Sequence, residues 1–156
     1  MKKNTWLLGF MISVIGLLIT SGAWGQPSAG TSKLEIYQKQ YAALQGLSLG
    51  AMVLNLDDSL EDLLITGSHA VSTSSDYKVS ELKRKLFSSL KKRLCSPRPE
   101  AIQSAAEGSL KELTKAEHLE MSNVHYGKME AILVRIIQKA TLQQFCRIES
   151  FDQLAK

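Results

Sequence analysis

Four side chains in the C-terminal third, His118, Met121, His125 and Met129, have the types and spacing with the sharpest chemical meaning. On one helix they would share a narrow stripe, each about a turn from the next. Imidazole and thioether are soft donors suited to copper, Cu(I) above all. The stripe also runs on into Ile132 and Ile136, the apolar face that a bundle buries, and methionine is a common core filler. The expectation is therefore a partly buried seam, and a copper site is the competing reading.

A second pattern is electrostatic. Lys83, Arg84, Lys91, Lys92 and Arg93 crowd one stretch between Lys78 and Arg98, where Glu81 is the lone acid before the prolines. Cations on the outside of an amphipathic helix hold lipid headgroups or phosphates, so these five are candidates for contact with an anionic surface or acidic partner. A solvated charged face is the plainer reading. The acidic knot Asp57, Asp58, Glu61 and Asp62 is a partner available within the chain itself. Tyr77 and Phe87 are the only rings nearby, which leaves too little base-stacking surface to expect specific nucleic-acid binding.

Catalytic patterns are missing from the sequence. It contains no Gly-x-Ser-x-Gly elbow, no His-Glu-x-x-His pair, no phosphate-cradling glycine loop and no Cys-x-x-Cys. His69, in a serine-rich loop with Ser72 and Asp76 nearby, would be the first suspect for a dispersed hydrolase, and a solvated loop explains it better. No enzyme activity and no cofactor are expected.

The N-terminus gives the cellular setting. Lys2 and Lys3 precede an apolar run from Trp6 to Ile19 and then small residues, the pattern of a secretory signal ending near Gly25. The run falls short of the roughly 20 apolar residues of a membrane-spanning helix, so no transmembrane segment is expected after processing. About 130 residues remain after cleavage, enough for a hydrophobic core, with 26–31 read as a flexible mature start and 32–156 as a single domain. Loss of Lys2 and Lys3 lowers the net charge from +4 to +2, so the overall basicity is unremarkable. Cys95 and Cys146 are the only cysteines, and in an exported chain an even pair reads as a disulfide. Closing a loop of about 50 residues contributes roughly 4 kcal/mol in the chain-entropy picture.

The elements that must position these groups are helical. Leu34, Tyr37, Tyr41 and Leu44 recur at helical steps after Ser32, and Leu47 to Leu56 reads as helix or turn. Asp58 or Ser59 suits the cap of a short helix that stops at Gly67. A third helix from Ser75 or Asp76 to Leu94 presents Val79, Leu82, Leu86, Leu90 and Leu94 inward. The prolines of Ser96-Pro97-Arg98-Pro99 break the chain. A helix through Ala105 and Leu110 is expected to falter at Gly108. The capping-box spacing of Thr114 and Glu117 predicts a new long helix to Cys146, with Gly127 a kink point.

The fold expected is an all-α bundle of four to six helices with one disulfide. The expected function is that of a secreted or periplasmic, non-catalytic binding protein whose partner is another envelope or secreted protein. A periplasmic copper binder using the His/Met stripe is the alternative.

Overall fold

In the computed structural model, residues 31–67 and 75–156 are described. The segment read as a secretory signal, the expected mature start up to Gly30 and the loop expected to carry His69 lie outside them. The described residues form six α-helices and a closing 3-10 turn, with no strand among them, and Thr31–Lys156 is one unit. The helices are α1 Lys33–Ala43, α2 Leu49–Gly67, α3 Ser75–Leu94, α4 Ile102–Glu117, α5 Asn123–Ala140 and α6 Leu142–Arg147. The chain ends in a 3-10 turn, Phe151–Ala155. No helix among the described residues is long and apolar enough to cross a membrane.

Helix α5 is the axis of the bundle. Met129, Ala131, Ile132, Leu133, Val134, Ile136 and Ile137 are all buried, so it is apolar on nearly every side. That is the pattern of a helix surrounded by others. Helices α1, α2 and α4 pack against it. At one end, α6 and the 3-10 turn bring Phe145 and Phe151 onto Phe87 of α3, with ring centroids 5.1 Å apart in both pairs. The Cys95–Cys146 disulfide ties the end of α3 to α6 across a Cα–Cα distance of 5.7 Å. That separation is ordinary for a bridge.

Several helix boundaries differ from those the local signals predict, and each difference has a tertiary cause. Helix α2 begins at Leu49, not at Asp58. Ser48 caps it by accepting the Ala51 amide at 3.1 Å, and Met52, Val53, Leu56, Leu60 and Leu63 make one buried stripe through the expected cap. Continuous burial outweighs the preference of Asp and Ser for helix ends, worth about 1 kcal/mol. The Thr114–Glu117 spacing likewise lies inside a helix. Buried Thr114 turns its hydroxyl back to the carbonyls of Leu110 and Lys111, a bonding mode available to a mid-helix threonine. Helix α4 stops at Glu117 because His118 adopts the left-handed conformation, with φ 53°. The next helix starts instead at Ser122, whose hydroxyl accepts the His125 amide.

Neither interior glycine breaks its helix. At Gly127 a Cβ would lie 2.8 Å from the Lys33 carbonyl oxygen and 2.9 Å from the Ile36 Cβ. Gly127 is therefore the notch into which α1 settles on α5. Gly108 sits beneath the Arg93 guanidinium, which a Cβ would approach to 2.8 Å. Nor does one helix run to Cys146. Thr141, at φ 67°, turns the chain between α5 and α6 and caps α6 through its hydroxyl to the Gln144 amide.

Helix α1 has no fully buried residue, and Leu34 of its expected inner stripe is 58% exposed. Polar contacts hold it to α5. Lys33 reaches the fully buried Glu130 carboxylate at 2.9 Å, and Gln103 of α4 donates to the other oxygen of that carboxylate at 3.0 Å. Farther along, the Arg135 guanidinium stacks on the Tyr41 ring while its Nε donates to the Tyr41 carbonyl. Burial alone would lower the Lys33 ammonium, but its hydrogen bond to Glu130 and the nearby carboxylates of Glu130 and Glu107 hold it above the ordinary lysine value.

Candidate functional site

The structure divides the five α3 cations into two groups. Lys83, 12% exposed, sits between Asp57 of α2 at 2.9 Å and Asp152 of the 3-10 turn at 2.7 Å. Burial pushes its ammonium down, but hydrogen bonds to the two carboxylates prevail and hold it above the usual lysine range. Lys91 donates to the Ile148 carbonyl at 2.6 Å and lies over the Phe87 ring. Arg93 pairs with Glu100 at 3.1 Å and with Glu112 at 3.2 Å. These three fasten α3 to α2, α4 and the C-terminal segment, so the acidic knot supplies one internal partner, Asp57.

Arg84 and Lys92 are different. Both are exposed and neither forms an ion pair among the described residues. With Ser88 between them they follow at four-residue steps, the spacing that puts all three on one face of α3. That face borders a groove between α3 and α4 with a volume of about 400 Å³, lined by Arg84, Ser88 and Lys92 on one side and Ser109, Glu112 and Leu113 on the other.

The two helices run antiparallel beside it. Lys85 pairs with Glu117 near the end of α4, Ser89 donates to Glu112 at 2.9 Å, and Arg93 lies across Gly108. The glycine lets a guanidinium lie flat where a side chain would hold it away. Ser109 is fully buried in the groove wall, and its hydroxyl has no hydrogen-bond partner among the described residues. Glu112 reports the local field. The Ser89 hydrogen bond, then that from Arg93, overcome the opposing effect of burial, and the charges of Arg93 and Lys92 add to them, so this carboxyl titrates below its ordinary value. The oxyanion that Ser89 and Arg93 hold is the carboxylate of Glu112 itself, which lines the groove, and Arg84 and Lys92 remain free of ion pairs at its edge.

The His/Met residues do not share one helix. His118 is the exposed, left-handed residue that ends α4, and Met121 lies in the connection before α5, partly buried against the core. Met129 is fully buried. The stripe depended on a helix running through all four positions, and the helix stop at His118 removes that premise. His125 stands at the start of α5, with Nε2 3.2 Å from the Thr66 hydroxyl and Nδ1 2.9 Å from the Ser122 hydroxyl. Because Thr66 donates its proton to the Asp62 carbonyl, Nε2 is the imidazole nitrogen that donates, and Nδ1 accepts from Ser122. Burial, with a lesser push from Lys128, outweighs the pull of Asp62 and lowers the imidazole below its ordinary value. Among the described residues no three His, Cys, Asp or Glu side chains converge as a metal cage.

The cation spacing was legible in the sequence, but the division into fastened and free cations was not, since each partner comes from a distant element. Ser88, Ser109 and Glu112 belong to the groove and carried no sequence signal that singled them out. No family model, curated protein or solved structure matches this chain.

Proposed function

We propose that this chain is an exported, non-catalytic binding domain that engages an acidic partner through the α3–α4 face. The observation carrying the reading is that Arg84 and Lys92 stay free of ion pairs while Lys83, Lys85, Lys91 and Arg93 around them are committed to internal partners. An exposed arginine held beside a hydroxyl-bearing groove is suited to planar or tetrahedral oxyanions. Export is supported by the Lys2-Lys3 and Trp6–Ile19 pattern and by the disulfide, a bond that persists in oxidising compartments. The partner is a macromolecule that displays clustered negative charge.

The test is binding of the purified domain to a soluble polyanion such as polyphosphate over a range of salt concentrations. Affinity should fall steeply as salt rises, because contacts with phosphates release counterions. Arg84→Glu with Lys92→Glu should abolish it. No binding at low ionic strength, or binding indifferent to the double reversal, overturns the reading.

A further inference from the structure

We infer that the α3–α4 groove is a site for one tetrahedral oxyanion, a phosphate or sulfate monoester group, held between Arg84 and Lys92 with the hydroxyls of Ser88 and Ser109 as further donors. The inference rests on the proposed function and makes it specific, since a merely charged face needs no defined pocket. Three observations carry it. The groove is concave and about 400 Å³, large enough for such a group with part of the molecule that bears it. Its two free cations stand on either side of Ser88 on one helix face. Ser109 lines its wall, and the Ser109 hydroxyl is closed off from solvent and without a partner among the described residues, so a small shift of the wall brings it to a ligand oxygen.

An orphaned buried hydroxyl costs free energy that a ligand oxygen could recover. The residues around Glu112 show the chemistry on a small scale. Ser89 and Arg93 already hold that carboxylate by one hydroxyl and one guanidinium contact. A carboxylate offers two oxygens in a plane, whereas a phosphate or sulfate monoester offers three acceptor oxygens pointing in different directions. Donors approaching from both helices suit the second shape. Leu113 and Ala116 add an apolar margin for the body of the ester.

The experiment follows backbone amide NMR shifts of the full domain during titration with inorganic phosphate, inorganic sulfate and, as the planar control, acetate. Phosphate and sulfate should produce saturable shifts confined to residues 84–92 and 108–116, with acetate weaker. Arg84→Gln with Lys92→Gln should weaken phosphate by about tenfold or more. Ser109→Ala should weaken it about three- to tenfold. The serine variant isolates binding from folding, because deleting an unpaired buried hydroxyl leaves stability unchanged or raised.

Polyphosphate binding without saturable oxyanion shifts, or acetate equal to phosphate, overturns the site while leaving the charged face in place. Loss of all polyanion binding overturns both. Vesicles containing phosphatidic acid, whose headgroup is a phosphate monoester, identify the source: vesicle binding displaced by free phosphate assigns the group to a lipid headgroup, and phosphate binding without vesicle binding assigns it to a soluble ester. Either result upholds the site.

Discussion

Replacing Gly127 by alanine tests how α1 is seated. The added Cβ would stand 2.8 Å from the Lys33 carbonyl oxygen and 2.9 Å from the Ile36 Cβ, both well inside normal contact. Alanine in a helix interior gains about 1 kcal/mol over glycine. Overpacking a tight contact costs about 1–3 kcal/mol, and here the obstructing atoms include backbone, so α1 must move as a body. Moving it also draws Lys33 from the buried Glu130 carboxylate. The expected net effect is a loss of about 1 kcal/mol or more. Gly108→Ala is the matched control. Its Cβ meets the end of the Arg93 side chain, which swings aside at the cost of exposed ion pairs worth up to about 1 kcal/mol. That variant should be neutral within about 0.5 kcal/mol. Urea denaturation ranks the two, and amide hydrogen exchange locates the effect. Protection in α1 should collapse in Gly127→Ala and persist in Gly108→Ala. Equal stabilities, or undiminished α1 protection in Gly127→Ala, would refute the argument.

Other expectations follow from the remaining contacts. The oxidised protein should show no free thiol on titration under denaturing conditions, and reduction should cost about 2–4 kcal/mol in chemical denaturation. His125 is held neutral in the fold, so the unfolded chain takes up its proton first. Its contribution is complete above about pH 6.5 and shrinks as pH falls toward its lower folded value, so acidification should erode the stability advantage over His125→Gln. An advantage that grows on acidification would reverse the sign of the argument. Lys83→Met should cost about 1–2 kcal/mol by stripping Asp57 and Asp152 of their shared cation, discounted for the exposure of Asp152, and loss of less than about 0.3 kcal/mol would count against the clasp. Met129→Leu should cost less than about 1.5 kcal/mol, as fits a core filler. Stoichiometric Cu(I) retention that the variant loses would restore the metal reading.

What the sequence reveals is uneven for physical reasons. The α3 stripe of Leu82, Leu86, Leu90 and Leu94 is buried as its spacing predicts, because one-sided burial writes itself into the 3.6-residue period. The cysteine pair was equally legible, since two cysteines leave one internal connection. Boundaries were less so. Thr114 has the chemistry of a helix start and lies near a helix end, and Ser122, the true cap, resembles any exposed serine. Caps are worth about 1 kcal/mol, and the burial of Leu110, Leu113 and Met129 outweighs them. Gly127 illustrates the other limit. A glycine tolerated inside a helix marks a close approach by something, and only the fold identifies that neighbour as α1. The groove lay beyond reach for the same reason, since antiparallel contact sets Ser109 and Glu112 beside α3 from more than a dozen residues away.

The most direct test of the central claim, that Arg84 and Lys92 form the binding face, is a charge-matched comparison. Polyphosphate affinity at low ionic strength is measured for the unaltered domain, for Arg84→Glu with Lys92→Glu, and for Lys39→Glu with Lys156→Glu, exposed positions that do not line the groove. Both double variants carry the same net charge. The account predicts that the first abolishes binding while the second only weakens it; equal losses in both would mean that net charge alone attracts the polyanion and would contradict the site.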